Sequence, residues 1–464
     1  MGTIAEKLQG ILDSKSAIRN SIIAKGISVD EETKLSEYAG KVDAIPISTS
    51  FYGVVRDVAV SNSAMTRVGN SDMHITLPIH SLMRRCLLLD NGTVNYYLHP
   101  TNSNLKADGS AAVLDGTDGQ VMVEIPKHYR RIYLDGNFEY YLISELPLQG
   151  FELVPLQYES AYEASIDRSN AALPKLASVV NLTSAFRGGN NTSAWDNTYR
   201  SLLGRPGTSV SLTDFRTFAR RRGSDRWNCE VYTTYKASVI LYYIEYANLN
   251  CQIAFNAQPT AQGYKQGGLS DGVTTLNSTD WNNFNSYNPF VPCGHTNSLG
   301  NTTGVVPYVM PAEYGSLTVN VPSYRGIENI FGHVWKWTDG CKCRIQAADS
   351  GALSQFYVSE NPSSFNSVDY TGYTLKGLLP RTEGYIKRML IGELMASEVG
   401  ASSVTYYSDY FYTSIPGTGE AQRGVLFGGS ASHGARAGLS CASANYAASS
   451  STANVGSRLC YIPV

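Results

Sequence analysis

The run Gly326-Ile-Glu-Asn-Ile-Phe-Gly332-His-Val-Trp335-Lys-Trp337-Thr-Asp-Gly340 carries more information about the fold than any other part of this sequence. Its three glycines permit tight backbone turns. Trp335 and Trp337 stand two apart, so on a strand they point to one face and can fill a core. The strand belongs inside a folded domain.

Downstream, Arg423-Gly-Val-Leu-Phe-Gly428-Gly429-Ser430 is followed by Gly434, Ala437-Gly438-Leu439 and Gly456-Ser-Arg458-Leu459-Cys460. The glycines of this stretch are read as setting the backbone, with small polar side chains between them facing solvent. The side chains expected to form a binding face are Ser432, His433, Arg436, Ser440, Cys441, Ser443, Asn445, Tyr446, Ser450, Thr452 and Asn454. Among them Tyr446, His433 and Arg436 are the expected anchors.

Upstream, helical spacing is convincing at 212–222, through Phe215, Phe218 and Ala219, and at 234–247, through Ile240, Leu241, Ile244 and Tyr246. Segments 86–98, 121–126 and 130–143 read as strands, the first and last broken by Asn-Gly or Asp-Gly into hairpins. Residues 3–25 read as a helix with Ile4, Leu8, Ile11, Ile18 and Ile22 at heptad spacing and Lys15 on the seam. That pattern fits either a coiled coil or one amphipathic helix docked on a globular body. Gly26 is placed to stop it. A second short amphipathic segment, with Leu35, Tyr38 and Val42 on one face, precedes a break at Pro46.

Composition narrows the function classes. With 43% hydrophobic and 16% charged residues in 464, the chain can build a sizeable core, and its length suggests about two or three domains. A net charge of −2 gives no field to draw it to nucleic acid or an anionic membrane. Its 31 Tyr and 42 Gly suit an adaptable recognition surface, and equally a loop-rich β protein. The eight cysteines form no CxxC pair and read as reduced, buried thiols. No signal peptide or apolar membrane span is apparent, so folding in a cytoplasm is expected, and a chain that acts outside a cell must leave by another route, of which release inside a virion is one.

Catalytic patterns are missing. There is no phosphate-binding GxxxxGK[ST], HExxH, GxSxG or GxGxxG after a strand. The seven histidines lack metal-ligand spacing, and no metal or cofactor is expected. Arg220–Arg222 and the Lys127–Arg131 cluster read as a solvated helix face and a strand-edge guard. Trp195-Asp196-Asn197 superficially matches a calcium-lectin tripeptide but lacks its partner motif.

The segment from Gly326 through Trp335 and Trp337 to Gly340 resembles the central motif of the formylglycine-generating-enzyme branch of the C-type-lectin fold. The C-terminal run, with Gly428, Gly429, Gly438 and Arg458, resembles the variable region of diversity-generating-retroelement target proteins. Leu241–Cys251-Gln252 and Tyr407-Ser-Asp-Tyr-Phe-Tyr412 look like further landmarks of that family. Ala5–Gln9 to Lys25-Gly26, Leu35–Tyr38 and Lys41–Ile45 resemble a helical element at the start of phage tail proteins. In the retroelement family, as the resemblance implies, adenine-specific copying turns AAC and AAT codons into NNC and NNT, which never encode Lys, Gln, Glu, Trp or Met. These five types make up 57 of the 464 residues, and 423–464 contains none of them.

The expected organisation is therefore α+β. Residues 1–48 would be a helical attachment and trimerisation segment, 49–118 a β-rich connecting domain, and 119–464 a C-type-lectin-like domain with its variable region at about 423–464. The implied function is not enzymatic: a homotrimeric phage tail receptor-binding protein that meets a host-cell surface receptor and, through its N-terminal segment, other tail proteins. The alternatives are a formylglycine-generating-type oxidase, a non-variable structural tail protein or a bacterial surface adhesin. Cys441 and Cys460 are too far apart after Gly428-Gly429-Ser430 to match the oxidase's copper-binding cysteines.

Overall fold

The computed structural model describes residues 3–23, 27–43, 50–255, 278–311, 313 and 318–463. Period-two segments form the expected hairpins. Arg84–Leu88 pairs with Val94–His99, and His128–Asp135 pairs with Phe138–Ser144 around Gly136, whose φ of +59° suits a two-residue turn. One sheet has the strand order 66–69, 52–57, 138–144, 128–135, 152–154. A second runs 227–229, 459–461, 157–160, 120–125, 84–88, 94–99, 102–106. A third, of nine strands, is built around Trp335–Gln346.

Helix Tyr232–Tyr246 ties the sheets together. Twelve of its 15 residues are buried, as expected for a helix that is apolar or aromatic on nearly every side. It touches strands 52–57, 138–144, 157–160 and 335–346. Tyr52, Leu87, Val123, Tyr141, Phe356, Phe411 and Phe427 join it in one core that draws on all three sheets.

These pairings overturn the expected α+β organisation and its separate C-terminal C-type-lectin-like domain. The chain is 21% helical and 33% strand, with multiple sheets, one of them nearly closed into a barrel. Strand 52–57 pairs with 138–144, and 84–88 pairs with 120–125, so the boundary expected near residue 118 separates nothing. Strand 459–461 enters between 157–160 and 227–229. The physical reason is that a lone hairpin is marginal in water and must find further strands. Alternation marks a strand but does not name its neighbour.

The N-terminal helix, Ile4–Ile23, opens with a capping box: Glu6 N–H donates to Thr3 Oγ1 at 3.2 Å and Thr3 N–H to Glu6 Oε2 at 2.6 Å. Among the described residues the first half of its seam packs against nothing, while Lys15 Nζ donates to Glu31 O at 3.2 Å. Ile4, Leu8, Ile11 and Ile18 are exposed, Ile4 at 87%, and only Ile22 is buried, against Val29 and Tyr38. No long coiled coil is evident. Gly26 and Pro46 lie outside the described residues.

The basic clusters also differ from expectation. Arg222 is buried and donates to Asp90 Oδ1 at 2.6 Å. Arg130, also buried, donates to Glu152 Oε1 at 2.6 Å from a strand with neighbours on both sides. Neither guanidinium belongs to a solvated face, because each has a carboxylate within reach that only the tertiary fold supplies.

His80 shows how the core responds to acid. Its buried ring lies with Nε2 2.8 Å from Leu241 O and Nδ1 3.0 Å from Tyr52 OH, an arrangement suited to the neutral imidazole. Burial lowers its pKa to about 4, and does the same at His128. The unfolded chain takes up these protons first, near about pH 6.5, so their contribution is complete above that pH and is lost as pH falls towards about 4. Thermal unfolding is expected to show a midpoint that drops steadily below about pH 6.5. A His80→Gln chain should show a shallower slope, and equal slopes for the two chains would assign the acid response elsewhere.

Candidate functional site

Alternation along Trp335–Gln346 gives the third sheet two unlike faces. On one face the cross-strand register places Trp337, Leu426, Ser443 and Tyr412 in a row. Tyr410, two residues before Tyr412, pairs with Tyr385 and continues this face towards solvent. Leu212 and Phe215 of helix Leu212–Arg220 cover its inner end with Trp335 and Trp337. The other face carries Val425, Phe427, Phe411 and Ala442 into the core around Tyr232–Tyr246, with Phe427 and Tyr235 ring centres 5.0 Å apart.

Residues 428–454 border the tryptophan–tyrosine face at either end and enter the sheet and its core between, at 437–444. They leave strand Glu420–Phe427 through Gly428 and Gly429, at φ +94° and +70°. Gly438 is required for space: a Cβ there would stand 2.0 Å from Asp409 Oδ1. The following residues are fastened from beneath. Tyr235 OH donates to Leu439 O at 2.5 Å, Leu439 N–H to Cys251 Sγ at 3.2 Å, and Ser440 N–H to Asp409 Oδ2 at 2.7 Å. Tyr243 OH meets Ser440 Oγ. Burial raises the Asp409 carboxyl to about 8, so it is mostly protonated at neutral pH.

This fastening corrects part of the expected face. Ser440 and Cys441 are 0% exposed and Ser443 2%, so none of the three presents a side chain to a partner. Residues 437–444 are a sheet-and-core segment, and small side chains are needed there for packing.

The other eight positions reach solvent to some degree and fall into two groups. Ser432, His433 and Arg436 lie beside Trp335 and Tyr412. His433 is set edge-on to both rings, at 5.0 and 5.5 Å, with Nδ1 2.8 Å from Ser430 Oγ. Burial, helped by the Arg436 charge, lowers its pKa to about 4, which keeps it uncharged at neutral pH. Its role is to brace the loop. Arg436 is exposed and lies over the Tyr410 ring at 4.9 Å.

The second group runs from the end of the sheet to helix Leu212–Arg220. Asn445 Nδ2 lies 3.5 Å from Glu383 Oε1, and Tyr446 is 36% exposed. Ser450, Thr452 and Asn454 are half-buried. Backbone carbonyls anchor this stretch: Leu212 N–H donates to Ala448 O at 3.0 Å, Ser209 N–H to Thr452 O at 3.0 Å, and Trp335 N–H to Asn454 O at 2.9 Å. Beside it opens a cleft of about 600 Å³ lined by Thr213, Arg220, Phe365, Gln422 and Ser449.

In the sequence Tyr410 and Tyr412 stand out only as landmarks, and nothing marks Tyr385. The Tyr410-Phe-Tyr412 alternation was a usable signal, since it places both tyrosines on the face opposite Phe411. What it could not show was that this face remains half-open beside Arg436.

For chemistry, burial pushes all eight thiols up, which disfavours thiolate at neutral pH. Cys441 and Cys460 lie in different apolar clusters. Asp196, in the tripeptide with lectin-like spelling, is paired with Arg187. Among the described residues no group of three or more His, Cys, Asp or Glu could hold a metal ion, and no helix is long and apolar enough to cross a membrane.

No protein-family model and no curated protein matches the chain.

Proposed function

We propose that this chain is a receptor-binding protein of a bacteriophage tail, which recognises a host-cell surface ligand through the tyrosine face bordered by residues 430–454. The observation that carries this reading is Arg436 lying 4.9 Å over Tyr410, beside half-exposed Tyr385 and Tyr412. Tyr and Arg are the side chains that most often dominate binding energy. Here they stand on a sheet whose far side is packed core, so little order is lost on binding.

Diversification of 423–464 by a retroelement is the second part of the proposal, supported by the absence of Lys, Gln, Glu, Trp and Met from that segment. The variation is proposed to fall on Ser432, Arg436, Asn445, Tyr446, Ser450, Thr452 and Asn454, which keep some exposure and do not brace the loop as His433 does. A reverse-transcriptase gene and a near-copy of these codons should flank the coding sequence, and a locus with neither would overturn this part.

Replacing Arg436, Tyr446 and Thr452 together by Ser, Asn and Ala should weaken adsorption of labelled protein to its host strain by at least about tenfold. The melting temperature should stay nearly unchanged, because Arg436 and Tyr446 are exposed and Thr452 half-buried, and substitutions outside the core usually cost less than about 0.5 kcal/mol each. Undiminished adsorption by a folded variant would move recognition off this face.

Residues 1–48 are assigned to attachment within the tail, with three copies of the chain assembled about a threefold axis. The exposed isoleucines of Ile4–Ile23 support self-association. Light scattering at micromolar concentration should give three times the 50.5 kDa subunit mass. A single-subunit mass would exclude the trimer.

A further inference from the structure

The groove on either side of the Asp90–Arg222 pair is built from five parts of the chain: the turn after Arg84–Leu88, the loop 115–120, the ribbon of Ser165–Asp167 with Lys175–Ala177, the segment 179–186, and the end of helix Leu212–Arg220. On one side it is a cleft of about 530 Å³, within the range of small-molecule sites. On the other it continues as a shallower depression of about 620 Å³ that shares Asp90 and Arg222.

Its polar groups are held in place by the protein. Arg222 is buried, with Nε donating to Leu176 O at 2.5 Å and Nη1 to Asp90 Oδ1 at 2.6 Å, while Nη2 has no partner among the described residues. Gln120 is 3% exposed; its Oε1 accepts from Ser178 N–H at 2.9 Å, and its amide nitrogen has no partner among the described residues. Asp115 and Asp167 each accept a backbone N–H two residues on, at 2.9 Å, which orients both carboxylates at the cleft wall. Lys175 Nζ stands 3.7 Å from Asp90 Oδ2.

We propose that this groove is a fixed carbohydrate-binding site, separate from the face at 430–454. Three chemical features select that class. Carboxylate, amide and guanidinium groups are planar and present paired acceptors or donors, which suit neighbouring hydroxyls that both donate and accept. In the cleft three carboxylates, Asp90, Asp115 and Asp167, stand against two cations, Lys175 and Arg222, which disfavours a phosphate or other strong anion. No metal-holding group of His, Cys, Asp or Glu is present among the described residues, so bare cations are poor occupants. Val179 and Phe186, 2% and 8% exposed, form the small apolar part of the cleft floor. Binding at one such cleft is weak, and repeated copies of the chain would raise the avidity.

The test is saturation-transfer NMR on the full chain with glucose, galactose, rhamnose and N-acetylglucosamine as separate probes. At least one should receive magnetisation from the protein, with a Kd raised about tenfold or more by Thr117→Trp, which fills the cleft from an exposed position. Asp115→Asn with Asp167→Asn, which keeps acceptors for both backbone turns, should also weaken it and serves if Thr117→Trp does not fold. The Arg436/Tyr446/Thr452 variant should bind the sugar as the parent does. Transfer to none of the four probes, binding indifferent to both cleft variants, displacement by inorganic phosphate, or loss in the Arg436 variant alone would each overturn the proposal. Sugar binding that survives when host adsorption fails, or the reverse, separates this site from the receptor face.

Discussion

Trp337→Ala is expected to destabilise the chain by about 3–5 kcal/mol, the usual range for deleting a large buried aromatic side chain. The indole is 1% exposed, in one cluster with Trp335, Leu212, Phe215 and Leu426. Gly424 is shaped around it, since a Cβ there would lie 2.6 Å from the ring. Strands Trp335–Gln346 and Glu420–Phe427 and helix Leu212–Arg220 all meet at this ring, so none can move far enough to close the cavity. The indole N–H is buried without a hydrogen-bond partner among the described residues. Trp337→Phe removes that unpaired donor and keeps most of the ring, so it should cost less than half as much as Ala. Urea unfolding of the three chains checks this, and an Ala variant within about 1 kcal/mol of the parent would mean that the pocket collapses or that the ring is not in the core.

Arg458→Met should cost a similar amount, about 3–5 kcal/mol, by leaving buried carboxylates without their cation. Arg458 is fully buried, with Nε 3.5 Å from Glu159 and 4.0 Å from Glu230. Its Nη1 donates to Ser160 O at 2.9 Å, and Nη2 donates to Glu328 O. Lys336, pointing away from the tryptophan face, lies 3.6 Å from Glu163, which also meets His333 Nδ1 at 2.5 Å. Three buried glutamates therefore share Arg458 and Lys336, and burial pushes both Glu159 and Glu230 up and Lys336 down.

The sign of the pH dependence follows. Carboxyls raised in the folded state contribute stability that is full below their unfolded pKa and falls as pH rises through the folded value. Removing Arg458 raises them further and extends that loss upward. The deficit of Arg458→Met relative to the parent should therefore be larger at about pH 8 than at about pH 5. A deficit independent of pH would identify Arg458 as a packing and backbone-bonding residue only.

Local features of the fold were legible in the sequence. Tryptophans two apart predicted a shared buried face, and Trp335 and Trp337 occupy one cluster. Apolar spacing marked helices close to Leu212–Arg220 and Tyr232–Tyr246, and Asn-Gly and Asp-Gly marked the hairpins. These depend on residues a few positions apart, where side-chain direction and backbone freedom are set by the local chain. The glycines at 428 and 429 belong to the same class, with positive φ values that most residues avoid.

What the tertiary structure alone decided was which segments meet. Strand 52–57 joins 138–144, and 459–461 completes a sheet begun more than 300 residues earlier, at 84–88. No local pattern encodes that choice, because a strand's alternation is satisfied by any partner of matching face. The same holds for the candidate site. Ser440, Cys441 and Ser443 resemble their neighbours in sequence, yet they lie buried over Asp409 and Tyr243 because a distant helix and strand fasten the backbone there. Tyr385 gains its place beside Arg436 only through the pairing of 384–389 with 410–413. Composition and spacing determined what each segment could become, and burial, a property of the whole assembly of segments, determined which side chains were left to face a partner.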